Sequence, residues 1–305
     1  MNNEILQKIN EYGISALLIK KLSQQINSSS TLGKRITLKS QQMTKSAIVK
    51  NLGLNKQRFS TYNLLTASKG IPNKVWVCWW TGEHTLPPIC KLCIASMNKQ
   101  FGSANVTLIT KENVGKYVDI DSNILKRLET NSITIQTFSD LLRAKLLYQH
   151  GGFWLDATIF VTEKPSADEN QDFFSIKRAG ASQYVSNKNW TAFALGSSSK
   201  NPVFKFLSDM FEQHFAQNST LLDYFLVDYL IAIAYENIEV AAEQIDSLPI
   251  NSLDCYQLLS NLNQPFDSEK YNNICHFDSL HKLNWKSNPP KNIQSTYHKL
   301  AELVE

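Results

Sequence analysis

The sequence predicts an α/β protein: a mainly parallel sheet flanked by helices, preceded by a helical N-terminal extension. Three observations predict it. From about residue 70 onward, strand-like runs alternate with helical ones, the order that builds a parallel sheet with helices on its faces. Lys74–Trp80 is a mostly apolar run bounded by Pro72 and Gly82, which reads as a buried strand. Ser139–Thr158 reads as a helix, a two-glycine turn and a short strand ending in an acidic residue.

The elements follow in order. Residues 1–69 read as helices and loops with a Ser-rich hinge at Asn27–Thr31, and residues 70–305 as the main body. After the first strand, residues 88–100 suit a helix, Val106–Thr110 a second strand and Ile124–Thr130 another helix. Phe138–His150 is the next helix, with Ser139 as its expected N-cap. Strands are expected near 153–156 and 159–162, helices near 202–216 and 221–236, and short helices with loops thereafter. Ligands of such sheets bind beyond the carboxyl ends of the strands.

The chemistry concentrates at one such end. Residues three apart on a helix share a face, so Asp140 and Arg143 point the same way. Alternate residues of a strand do the same, so Asp156 and Thr158 form a second pair. Gly151-Gly152 lets the chain reverse between the two elements. The result is an oxygen-rich cradle beside a cation, suited to Mg²⁺ or Mn²⁺ and to a phosphate-bearing ligand such as a nucleotide sugar. Asp156 follows Phe-Trp-Leu, where an unpaired carboxylate is costly to bury. Asp140 and Arg143 would hold sugar hydroxyls and diphosphate; a surface ion pair is the alternative. Trp79 and Trp80 at the strand end would stack on a base, or fill the core. Asp223 and Asp228 lie in an aromatic and aliphatic stretch where each needs a partner. Asp228 would face the reacting sugar, or pair with an Arg or a Tyr hydroxyl.

Ser139-Asp140-x-x-Arg143 followed by Gly151-Gly152-x-x-x-Asp156-x-Thr158 resembles the sugar-binding "DXD" region of GT-A glycosyltransferases. The likeness is greatest to the capsular polysaccharide synthesis group, which is family-32-like, and more distant to the glucosylating domains of large clostridial toxins. Ile71–Gly82 resembles the first strand and nucleotide loop, and Leu222–Leu230 and His281-Lys282-Leu283 resemble two later blocks, so the likeness spans roughly residues 70–286. It implies a GT-A, Rossmann-like fold and sugar transfer with retention. It places Trp79, Trp80, Gly82, Asp140, Arg143 and Lys282 on the donor, with Lys282 at the diphosphate. It names Asp140, Arg143, Asp156 and Asp228 as catalytic. A divalent metal, Mn²⁺ or Mg²⁺, would be held by Asp156, Thr158 and His281. The second aspartate of the motif is replaced by Thr158, as is frequent in the capsular group; a lone histidine such as His281 is otherwise more often structural.

Composition bounds the rest. Residues 1–70 carry eleven Lys and Arg against Glu4 and Glu11, while the remainder carries 20 basic and 25 acidic residues. A basic arm on an acidic body, with Ile5, Leu6, Ile9, Leu17, Leu18 and Leu22 giving it amphipathic helical character, suits peripheral contact with an anionic leaflet. A solvated helical cap is the bland alternative. No aromatic-interleaved basic groove marks a nucleic-acid partner. No apolar run of eighteen residues is present, and Met1–Asn10 lacks a signal-peptide core. Five cysteines fit a reducing cytoplasm, and Cys90 and Cys93 read as packing residues rather than a zinc or redox pair.

The expected function is transfer of a sugar, with a UDP-sugar as favoured donor, to a glycan or lipid-linked saccharide at the inner face of the plasma membrane. A non-catalytic nucleotide-sugar binder in a polysaccharide assembly complex is the alternative. A nucleotidyltransferase is disfavoured, because no Gly-rich, basic-tipped loop follows the first strand.

Overall fold

A computed structural model describes residues 3–27, 30–165 and 171–305. Four helices open the chain: α1 (Asn3–Tyr12), α2 (Ile14–Gln25), α3 (Thr31–Asn51) and α4 (Lys56–Asn63). The body then runs β1 (Val75–Cys78), α5 (Pro88–Phe101), β2 (Val106–Ile109), α6 (Ser122–Glu129), α7 (Ile135–His150), β3 (Gly152–Leu155), β4 (Ile159–Val161), β5 (Phe173–Ser175) and β6 (Ala194–Ser197). It finishes with α8 (Pro202–Gln217), α9 (Leu226–Asn237), α10 (Glu239–Asp246), α11 (Gln257–Asn261), α12 (Ser268–Phe277), β7 (Leu280–Lys282) and α13 (Thr296–Val304).

The central sheet has the order β2-β1-β3-β6-β5. β1 pairs in parallel with β2 and β3, and β6 pairs antiparallel with both of its neighbours. Four of the five strands therefore share one direction, with helices packed against the sheet. β4 and β7 form a separate antiparallel ribbon that sets Ile159 opposite Lys282. This ribbon carries the chain's late segment back to the end of β3.

The turn from α7 into β3 demands glycine twice. Gly151 and Gly152 have φ of 65° and 94°, a region that L side chains rarely adopt. A Cβ on Gly152 would lie 2.5 Å from the Lys74 carbonyl oxygen, so β3 could not approach β1 with a side chain there. The indole of Trp76 locks the same turn by donating to the Gly151 carbonyl at 2.8 Å.

Two local expectations are corrected. α7 begins three residues early, and its N-cap is Thr134, whose φ and ψ of −82° and 154° are extended and whose hydroxyl accepts from the Thr137 amide. Ser139 already lies within the helix and donates instead to the Gln136 carbonyl. α9 begins at Leu226, so Asp223 precedes the helix; its carboxylate accepts from the Phe225 amide and pairs with Lys20 at 2.8 Å. Within the expected hinge, Ser28 and Ser29 lie outside the described residues, and Ser30 caps α3.

The opening helices pack on the body. Tyr12, Ile48, Leu52 and Phe59 join one buried cluster with Phe206, Phe211 and Leu230. Asn51 and Asn218 exchange side-chain amide hydrogen bonds at 2.9 Å, and Glu11 accepts from Ser219. Cys90 and Cys93 are buried in the core, where burial pushes the Cys90 thiol up to about 11 and Cys93 well above its usual value. Among the described residues no helix is long and apolar enough to cross a membrane.

Candidate functional site

The carboxyl ends of β1 and β3 open on one edge of the sheet, and the acidic residue after β3 is Asp156. Its neighbours come from three elements. Arg143, one turn after Asp140 on α7, reaches Asp140 Oδ1 at 2.7 Å with one guanidinium nitrogen and Asp156 Oδ1 at 3.3 Å with the other. Trp154 Nε1, two residues back along β3, donates to the same Asp156 oxygen at 3.0 Å. Lys282 Nζ, at the end of β7, donates to Asp156 Oδ2 at 2.8 Å. The guanidinium also lies 5.0 Å from the Trp154 ring centroid, and the ammonium 4.8 Å from that of Phe193, close enough for cation–π attraction.

The electrostatics differ among the three acids. Burial raises Asp140 to about 7, with help from Asp228 and Asp156 and against the pull of Arg143. Burial likewise raises Asp228 to about 6, although the Trp190 indole donates to its Oδ1 at 3.0 Å. Burial acts on Asp156 too, but Lys282 and Arg143 outweigh it and hold that carboxyl below its usual value. Asp156 is therefore the fixed negative charge, and Asp140 and Asp228 are acids able to carry a proton near neutrality.

In front of this cluster lies a cleft of about 1010 Å³. Asp140, Arg143, Asp156 and Asp228 line one side. The opposite wall comes from the N-terminal helices, through Ser23 and Gln24 of α2 and Thr37, Ser40 and Gln41 of α3. Lys20 fixes that wall through Asp223 and the Leu222 carbonyl, and Gln41 donates to the Gln183 carbonyl at 2.8 Å. Tyr184, Tyr224 and Phe225 form an exposed aromatic edge, with neighbouring rings 5.2 to 6.1 Å apart.

The other expected residues sit apart from the cleft. Trp79 and Trp80 follow β1 and are half-buried: the Trp79 indole donates to Thr85 at 2.9 Å, and Trp80 packs edge-on against Phe138. Gly82 turns the chain after them with φ 91°. Thr158 is buried after β3. His281 neighbours Lys282 on β7 and so points to the opposite face, where it hydrogen-bonds Thr162 at 3.1 Å. Burial lowers it to about 4, so its imidazole is neutral.

The expected metal ligands do not converge. Both oxygens of Asp156 already hold cationic side chains, and His281 faces away. Among the described residues no group of three or more His, Cys, Asp and Glu is placed to hold a metal ion. As arranged, this donor set does not fit a divalent cation.

Sequence reasoning missed Trp190 and Trp285. Trp190 lies in the irregular stretch between β5 and β6 and is recognisable only by its bond to Asp228. Trp285 is about half exposed, three residues past Lys282, and meets Trp79 edge-on at 6.3 Å. An exposed tryptophan after a Lys-Leu-Asn run is the signal that could have drawn attention to it.

Comparison with known proteins adds the family. A solved structure described as "PaToxG Glycosyltransferase" aligns over 77% of this chain and 94% of its own, at 13% identity and a TM-score of 0.35. A comparison with curated proteins gives no match. The family described as capsular polysaccharide synthesis protein matches residues 24–300. The chain belongs to that capsular polysaccharide synthesis family.

Proposed function

We propose that this protein transfers a sugar from a nucleoside-diphosphate donor to a glycan or lipid-linked saccharide in capsular or cell-surface polysaccharide synthesis. The observation that carries the reading is Asp156, held between Arg143 and Lys282 at the carboxyl edge of the sheet. Arg143 and Lys282, both held at that carboxylate, offer N–H donors to a diphosphate, and Asp140 and Asp228 supply acceptors for sugar hydroxyls. Family membership supports the pathway; the GT-A resemblance supports the donor class, with a UDP-sugar favoured and the base set against Trp79.

The cleft lies at the upper end of the range of about 300 to 1,000 Å³ usual for a small-ligand site. The wall of neutral amides and hydroxyls on α2 and α3, with the aromatic edge, would receive the acceptor. The GT-A resemblance supports retention, and with no glutamate among the described residues that line the cleft, the acceptor would attack on the face the leaving group departs from. A phosphate oxygen takes the acceptor proton.

The outer surface of the same helices suits a membrane that presents the acceptor. Leu18, Leu22, Leu32 and Leu38 are exposed there beside Lys21, Lys34, Arg35 and Lys39. The cytoplasmic leaflet is the anionic surface they would meet.

Incubation with UDP-, GDP- and CMP-sugars tests the reading. Release of free nucleotide by the wild type and its loss in Asp156→Asn are expected. Binding without turnover in the presence of acceptor points instead to a non-catalytic nucleotide-sugar binder, and pyrophosphate release to a nucleotidyltransferase.

A further inference from the structure

The three residues expected to ligate a metal are dispersed, while two cations occupy the carboxylate that would anchor it. We infer that Lys282 and Arg143 do the work of a divalent cation in this protein, so that donor binding and cleavage need no metal. The inference rests on the transferase reading above.

The geometry supports a built cationic site. The backbone at Lys282 is fixed: its amide donates to the Cys255 carbonyl at 2.7 Å, and the next amide, of Leu283, donates to the Thr158 carbonyl at 2.8 Å. Its ammonium is clamped between Asp156 Oδ2 and the Phe193 ring. Arg143 is almost wholly buried and is fixed by Asp140, Asp156 and the face of Trp154. Both cations are thus oriented before any ligand arrives, which is what electrostatic stabilisation of a leaving group requires. A dication bound to Asp156 would have to displace one of them or lie against both, and like charges so close repel strongly.

Arg143 and Lys282 bring two positive charges to the one carboxylate of Asp156, and burial works against a second full negative charge on Asp140 beside them. Thr158, neutral where a second aspartate would stand, adds no further negative charge. In the step itself, the bond between the anomeric carbon and the β-phosphate oxygen breaks with its electron pair going to the phosphate. The acceptor oxygen bonds to the anomeric carbon, and its proton passes to a phosphate oxygen. The ammonium and guanidinium take up the charge that develops on the departing diphosphate.

The experiment uses the full chain as wild type, Lys282→Ala, Lys282→Gln and Lys282→Arg. UDP and GDP binding is measured by calorimetry in EDTA and again in excess Mn²⁺, with donor cleavage followed in both buffers. The wild type is expected to bind in EDTA, with affinity changed less than about 3-fold by Mn²⁺. Lys282→Ala and Lys282→Gln should lose about 100-fold in cleavage in either buffer, with Lys282→Arg partly restored. Circular dichroism checks that each variant is folded. Binding or cleavage by the wild type only with Mn²⁺ overturns the inference, as does full activity of folded Lys282→Ala. Failure to bind either nucleotide in both buffers overturns the donor reading itself, which is a separate result.

Discussion

Lys282 Nζ lies 2.8 Å from Asp156 Oδ2, the two residues being brought together across the chain by the short β4–β7 ribbon. Because Ile159 pairs with Lys282 in that ribbon, the segment just after Asp156 carries its own counter-charge from the far end of the chain. Asp156 thereby becomes the hub of the cluster: one carboxylate, two cations and an indole donor.

Asp156→Asn keeps the shape and removes the charge that fixes both cations. Donor cleavage is expected to fall by at least about 100-fold, while far-UV circular dichroism stays that of the wild type. Turnover within a few-fold of normal would remove Asp156 from the chemistry.

The raised acids make a pH prediction with a definite sign. The unfolded chain loses the protons of Asp140 and Asp228 near the usual carboxylate value, whereas the folded chain keeps them up to about 7 and about 6. Between roughly pH 4 and 7 the folded state therefore binds more protons, and stability falls as pH rises. The two acids interact and titrate as a unit. Asp140→Asn combined with Asp228→Asn should flatten that fall in urea melts at pH 4.5, 6 and 7.5. An unchanged pH slope would contradict the burial assigned to them.

The helical extension is expected to be inseparable from the body. Ile48 on α3 is 1% exposed and sits in the cluster shared with α8 and α9. Ile48→Ala should cost about 2–5 kcal/mol of stability, seen as one cooperative transition at lower denaturant. A separate early transition, with the body's melting unchanged, would show that the extension folds alone.

Membrane contact is tested with vesicles. Replacing Lys34, Arg35 and Lys39 by Gln removes three exposed charges from α3, each worth about 1 kcal/mol near an anionic surface. Co-sedimentation with phosphatidylglycerol vesicles should weaken by about 100-fold, and neutral vesicles should bind neither form. Equal binding by wild type and variant would leave the arm as a helical wall of the cleft and nothing more.

How far the sequence carried these features depended on whether the pattern was local. Asp140 and Arg143 are one helical turn apart, and Asp156 ends a strand after two glycines; short-range geometry announced all three. β1 to β4 were legible as apolar runs between turn residues. β5, β6 and β7 were not, because β5 has three residues, β6 is Ala-Leu-Gly-Ser and β7 is Leu-His-Lys, none of them a marked strand pattern. Their formation depends on partners far along the chain. The same limit hid the pairing of Lys20 with Asp223, and with it the placing of α2 and α3 on the cleft. A helix periodicity continued too far through Leu222–Phe225 because that stretch is apolar, whereas Asp223 caps the turn before α9.

The most direct measurement is a crystal structure of the protein soaked with UDP or GDP in EDTA. The account predicts diphosphate density at the carboxyl edge of the sheet, within about 3 Å of Lys282 Nζ and the Arg143 guanidinium. Nucleotide ordered elsewhere on the molecule, with Asp156 still bound only to its two side-chain cations, would contradict it.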